Sequence, residues 1–134
     1  MLIQSLAGLP AFLMYFATAM GMLTLFALIY VSITPYQEIV LIRKGNTAAA
    51  ASLSGAILGF VLPLASAIAH SVSLPDMAVW GLVALSIQLL AYAAARLLLP
   101  NLVHDIPAGR IATGIFAGAL SLTIGILNAA CMTY

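Results

Sequence analysis

Three polar side chains interrupt the long apolar stretches of this chain and could do chemistry there: Gln88, His70 and Asn128. A polar group surrounded by lipid costs free energy unless it has a partner, so such residues bind a solute or ion or join helices. Gln88 lies in the middle of its stretch. We interpret it as an interhelical hydrogen bond, worth about 0.6–2 kcal/mol, with a solute or ion ligand as the alternative.

His70 and Asn128 lie near one end of their stretches, at a level that Asp76 shares. The three could converge at the outer mouth of a helical bundle. One His and one Asp fall short of the three or four ligands of a usual metal site. We therefore predict an interfacial His70 and an Asp76 that N-caps the third helix, with no metal bound.

Motifs of other chemistry are missing from the sequence. There is no Gly-rich phosphate loop, no paired metal motif and no nucleophile beside a base. A net charge of +1 offers no electrostatic footprint for nucleic acid. We expect no enzymatic activity, no cofactor and no nucleic-acid partner.

The elements that position these residues follow from composition. The chain of 134 residues is 65% hydrophobic and 5% charged, whereas soluble domains carry about 25% charged residues. Four stretches exceed the roughly 20 apolar residues that cross a bilayer as a helix. They run from Ala11 to Thr34, from Ala48 to Leu74, from Met77 to Leu99 and from Ala108 to Tyr134. This predicts an all-α membrane protein, a single domain over 1–134 with four transmembrane helices.

The charged side chains predict an orientation. All four basic residues, Arg43, Lys44, Arg96 and Arg110, fall at the first and third connections. Lys and Arg in short loops mark the cytoplasmic side. Loops 35–47 and 100–107 are therefore predicted to be cytoplasmic and both termini periplasmic. Together with Glu38 the basic residues are expected to form a collar that anchors the helices, or else binds lipid headgroups or a cytoplasmic partner.

Spacing predicts two tandem helical hairpins, the halves 1–74 and 75–134. Prolines 25 residues apart bracket the first and third stretches, and a GxxxG motif opens the second and the fourth. The motifs are Gly55 with Gly59 and Gly114 with Gly118. Because glycines four apart let another backbone approach closely, the second and fourth helices are expected to form the tight centre.

Two features distinguish the other parts of the bundle. The first helix carries bulky Phe and Met side chains and suits a peripheral, lipid-facing position. Pro63 lies inside the second helix, where it removes a hydrogen bond. We interpret it as a static kink, and a gating hinge is the alternative.

Several motifs along nearly the whole chain resemble one family. They are Thr34-Pro35-Tyr36-x-Glu38, Arg43-x-Gly45-Asn46-Thr47, Pro63-Leu64-Ala65-Ser66-Ala67, Ser73-Leu74-Pro75-Asp76, Ile87-Gln88-Leu89-Leu90 and Leu127-Asn128-Ala129-Ala130-Cys131. Together they are similar to the YjfL-type family of small bacterial inner-membrane proteins, whose function is unknown. The resemblance implies a four-helix inner-membrane protein, and it makes Glu38, Asn46, Gln88 and Asn128 worth testing.

Two functions remain open from the sequence. The first is a small protein of the lipid bilayer that acts as a homo-oligomer or as a subunit with a membrane protein partner, which the glycine motifs favour. The alternative is a channel or transporter for an ion or small solute, with its path near Gln88.

Overall fold

The computed structural model describes residues 1–132 and contains seven helices and, within that range, no strand. The helices are α1 (Leu2–Ala7), α2 (Leu9–Ile33), α3 (Glu38–Arg43), α4 (Thr47–His70), α5 (Leu74–Leu98), α6 (Leu102–Asp105) and α7 (Ile111–Cys131). Four spans, the first made of α1 and α2 and the others of α4, α5 and α7, are long and apolar enough to cross a membrane. The prediction of an all-α protein with four transmembrane helices is confirmed. The predicted end of the fourth helix at Tyr134 lies outside the described residues.

The turn between α4 and α5 corrects two predictions. Helix α4 ends at His70 rather than Leu74, and Ser73 rather than Asp76 is the N-cap of α5. The backbone N–H of Asp76 donates to the Ser73 hydroxyl at 3.3 Å. The Asp76 carboxylate in turn accepts from the backbone N–H of Val72 at 3.1 Å. Asp76 therefore closes the first turn of the helix as a reciprocal cap, three residues after the true N-cap.

The two connections at the other end of the bundle share a local design. Each contains a short helix and then a glycine with positive φ, Gly45 at 86° and Gly109 at 79°. This conformation is open to glycine at no steric cost and redirects the chain into the next long helix. The positive φ of Gly109 also explains why α7 begins at Ile111 rather than at the predicted Ala108. The two-hairpin repeat itself stays a prediction.

Asn46 links these two connections. Its side-chain oxygen accepts from the backbone N–H of Ala49 at 2.9 Å and so caps α4. Its amide nitrogen donates to the carbonyl of Ile106 at 2.9 Å, sixty residues further along the chain. Since all four Lys and Arg residues lie at this end, we name it the basic end.

Helices α4, α5 and α7 form the centre, and α2 lies beside them. In the most apolar part of the first span only 6% of residues are buried, compared with 44% in α4. Only Met22, Phe26 and Tyr30 of α2 are buried. The ring of Phe26 stacks on that of Phe60 from α4, with centroids 4.7 Å apart. The first helix is therefore peripheral, as predicted, and attached through the half that approaches the basic end.

Candidate functional site

Helices α4 and α7 meet along a line of glycines that we name the glycine seam, formed by Gly55, Gly59, Gly114, Gly118 and Gly125. A methyl group added to Gly55 would overlap the backbone of Gly118, and one added to Gly125 would overlap the backbone of Gly59. The two backbones are thus in direct contact, which only glycine allows at these positions. Both GxxxG motifs face each other inside one chain.

Gln88 of α5 completes the seam. Its side chain is 1% exposed, and Nε2 donates to the carbonyl of Ser121 on α7 at 3.0 Å. Gly59 provides the space for this amide, since a Cβ there would lie 2.7 Å from Nε2 and 2.9 Å from Oε1 of Gln88. The Gln88 Oε1 atom is buried without a hydrogen-bond partner. Gln88 therefore joins α5 to the α4–α7 pair at mid-membrane depth.

Pro63 lies on the buried face of α4, one turn after Gly59. Because proline has no N–H, the carbonyl of Gly59 lacks its usual partner within the helix. That carbonyl oxygen is the nearest atom that a Cβ on Gly125 would meet. The close approach of α7 thus places a Cα–H donor beside the freed carbonyl. The static kink at Pro63 stays a prediction, and a gating hinge stays its alternative.

Gln88 lies away from the four grooves described on the surface of the protein. These grooves have volumes of about 180–400 Å³, and Gln88 lines none of them. The groove of ≈ 330 Å³ is apolar and lies between the N-terminal half of α2 and Ile68 of α4. Gln88 is a packed side chain that contributes to none of these groove walls.

The three polar groups at the end opposite the basic end are held in different ways. His70 is exposed, and its Nδ1 lies 3.0 Å from the carbonyl of Ser66. Asp76 is engaged in the helix cap. Asn128 is half-buried, and its Nδ2 has no hydrogen-bond partner.

The predicted collar at the basic end divides into two parts. Arg43, Lys44, Arg96 and Arg110 are all exposed, and Arg110 lies 3.7 Å from the Asp105 carboxylate. Glu38 was predicted to belong to the same collar, and this is wrong, because its side chain is 2% exposed. The short helix α3 turns Glu38 inward against the bundle while its neighbours Ile39 and Val40 face outward.

Glu38 lies in a cluster of hydroxyl groups. The Thr34 hydroxyl donates to Oε1 of the carboxyl, and Oε2 is buried without a partner. Tyr30, Tyr36 and Tyr92 all interact electrostatically with this carboxyl. Burial raises the pKa of Glu38, and the Thr34 hydrogen bond opposes this only in part. Burial likewise raises the pKa of Tyr36.

The tyrosines of this cluster were missed in the sequence. Tyr30 of α2 and Tyr92 of α5 pack edge to face, with ring centroids 5.3 Å apart. The guanidinium of Arg96 lies 5.9 Å from the centre of the Tyr92 ring. The signal in the sequence was the tyrosines within apolar stretches, since a buried tyrosine usually needs a hydrogen-bond partner for its hydroxyl. The partners of these tyrosines come from other helices, so spacing along the chain could not identify them.

The chain matches known proteins over nearly its full length. The family model described as Domain of Unknown Function (DUF350) matches residues 4–132. The UPF0719 inner membrane protein YjfL of Escherichia coli strain K12 is 46% identical over 129 residues, which cover 96% of this chain and 98% of that protein. The protein of the same name from E. coli O157:H7 matches with the same identity and coverage. No solved structure matches the chain.

Proposed function

Since the chain belongs to the DUF350 family, whose E. coli relatives are named inner membrane proteins, we propose that it acts without catalysis as a self-associating subunit of the bacterial inner membrane. That it is a multi-pass membrane protein in contact with the lipid bilayer follows from its four apolar spans and from these relatives. The proposal adds that its role depends on contact with further copies of itself or with another membrane protein.

The observation that carries this proposal is the exposure of the first span. Gly21 lies in the middle of α2, and a Cβ built on it would meet nothing within 4 Å. Glycine in a helix interior costs about 1 kcal/mol relative to alanine, and here no contact within the chain offsets that cost. Ala17, one turn earlier, is also exposed. A helix from another subunit could approach closely at this surface.

The glycine seam also favours the surface at Gly21 for association, because the seam glycines are already in contact within the chain. The four glycines that motivated self-association in the sequence each face backbone or side-chain atoms of the same chain. They are therefore not free for a contact between subunits. Three glycines have no atom within 4 Å of an added Cβ, and of these Gly21 lies in a long span whereas Gly45 and Gly109 lie in the connections.

The orientation of the chain is part of the proposal. We place the basic end, with loops 35–47 and 100–107, in the cytoplasm and both termini in the periplasm. The four exposed basic side chains at one end support this, because Lys and Arg are retained on the cytoplasmic side.

The experiment is native mass spectrometry of the full chain in lipid nanodiscs. We expect dimers or larger assemblies, and Gly21→Leu should weaken association at least tenfold, equivalent to about 1.4 kcal/mol. Ala119→Leu, a small-to-large change on the exposed face of α7, is the matched control and should leave association unchanged. A strictly monomeric protein with no co-purifying partner would rule the proposal out.

The second candidate function is a channel or transporter for an ion or small solute with its path near Gln88. The unpartnered Oε1 of Gln88 at mid-membrane depth is the observation that favours it. The tight packing of Gln88 argues against a channel or transporter, since a path would require the glycine seam to open. Ion and solute flux at background level in reconstituted liposomes, across pH and voltage, would exclude this function.

A further inference from the structure

The cluster around Glu38 contains more buried polar atoms than its own hydrogen bonds satisfy. Glu38 Oε2, Tyr36 Oη and Tyr92 Oη are all buried and without a hydrogen-bond partner. Most buried polar groups in proteins have a hydrogen-bond partner, so a set of unsatisfied atoms in one place calls for an explanation. Glu38 is 2% and Tyr92 6% exposed, so bulk water does not reach them freely.

The Glu38 carboxyl has no ion-pair partner in the part of the chain that the structure describes. Within residues 1–132 the structure records one ion pair, between Arg110 and Asp105. Arg96 acts electrostatically on Tyr36 and Tyr92, and its guanidinium lies over the Tyr92 ring. Isolated buried carboxylates are too costly to persist and take up a proton instead.

We propose that Glu38 is a proton-binding site, a buried carboxyl that keeps its proton to a higher pH than an exposed carboxyl does and exchanges it with the cytoplasmic side. A groove of ≈ 260 Å³, lined by Val31, Gln37, Glu38, Ile39 and Val40, runs beside the carboxyl and offers a route for exchange.

The groups that face Glu38 from each packed element support a proton as the ligand. Helix α2 contributes Tyr30, the connection contributes Thr34 and Tyr36, and α5 contributes Tyr92. Helix α4 contributes the Ser52 hydroxyl, which bonds Tyr30, and its one titratable side chain, His70, is at the opposite end. Burial raises the pKa of Glu38, in the direction the proposal requires. No described group of three or more His, Cys, Asp or Glu side chains is placed to hold a metal ion.

Infrared difference spectroscopy of the full chain in lipid tests the proposal directly, because the chain has only three acidic side chains. The carbonyl stretch of a protonated carboxylic acid is expected to persist in the wild type to a higher pH than exposed carboxyl groups allow. It should disappear in Glu38→Gln and persist in the matched controls Asp76→Asn and Asp105→Asn. If Glu38→Gln does not fold, the wild type and the two controls still assign the band by elimination.

A second readout is the dependence of stability on pH. A carboxyl whose pKa is raised by folding contributes stability at low pH, and this is lost as the pH rises through its folded value. The unfolding temperature of the wild type should therefore fall relative to that of Glu38→Gln as the pH is raised. A protonated band that titrates at the pH of an exposed carboxyl in natively helical protein would overturn the proposal. So would a band that sodium ions abolish and choline does not, since the ligand would then be a metal cation.

Discussion

Gly59→Ala is expected to destabilise the folded bundle by roughly 2–3 kcal/mol, although alanine is the better helix former. The added methyl group would overlap the carbonyl of Ser121 and crowd the amide of Gln88. Overpacking of this kind costs about 1–3 kcal/mol, and here the obstruction is partly backbone, which cannot rotate away. The change should also weaken the bond from Gln88 Nε2 to Ser121. Unfolding equilibria in micelles, at a detergent excess that keeps the chain monomeric, would measure the loss.

Gly21→Ala is the matched control for this experiment. It makes the same substitution in a long helix where nothing lies within 4 Å of the new methyl group. Only helix propensity should change, by no more than about 1 kcal/mol and in the stabilising direction. If both variants unfolded at the same denaturant concentration, the close contact of α4 and α7 would be refuted.

Phe60→Ala is expected to cost roughly 3–4 kcal/mol, the usual loss for removing a buried phenylalanine. Phe60 is fully buried and stacks on Phe26, whose ring is also fully buried. This stack fastens α2 to α4, and few other residues of α2 are buried. The loss should therefore act on the first span in particular. Hydrogen exchange by mass spectrometry would show it as faster exchange in the basic-end half of α2.

Phe12→Ala provides the comparison on the same helix. Phe12 is 58% exposed, and its ring stacks on Phe16 of the same helix at 5.7 Å. Since lipid replaces most of the lost contact, stability should change by less than about 1 kcal/mol. Equal losses in the two variants would mean that the Phe26–Phe60 stack does not hold the first span in place.

Composition and spacing were sufficient for the coarse fold. The four spans follow from runs of apolar residues, because a bilayer requires helices of that length. The tight centre followed from Gly55, Gly59, Gly114 and Gly118, since close backbone contact is the main use of such spacing. What spacing could not decide is which surface a glycine stripe meets. A stripe that packs within one chain and one that packs between two chains have the same sequence.

Local chemistry was harder to predict at the ends of helices. Ser73-Leu74-Pro75-Asp76 has the spacing of a reciprocal cap, and reading Asp76 as the N-cap placed the start of α5 three residues too late. The burial of Glu38 depends on the direction in which α3 leaves the membrane-spanning helix. That direction is set by contacts with Tyr30 and Tyr92, which lie on two other helices. Proximity to Arg43 and Lys44 in the sequence therefore suggested an exposed collar residue.

The most direct test of self-association through the first span is disulfide crosslinking in native membranes. In a Cys131→Ser background, which removes the one exposed natural cysteine, single cysteines would be placed at Gly21 and at Ser52. Ser52 is buried on α4, at the level of the glycine seam. Oxidation is expected to give covalent dimers from the Gly21 variant and monomers from the Ser52 variant. Dimers from Ser52, with monomers from Gly21, would show instead that the chain associates through its centre.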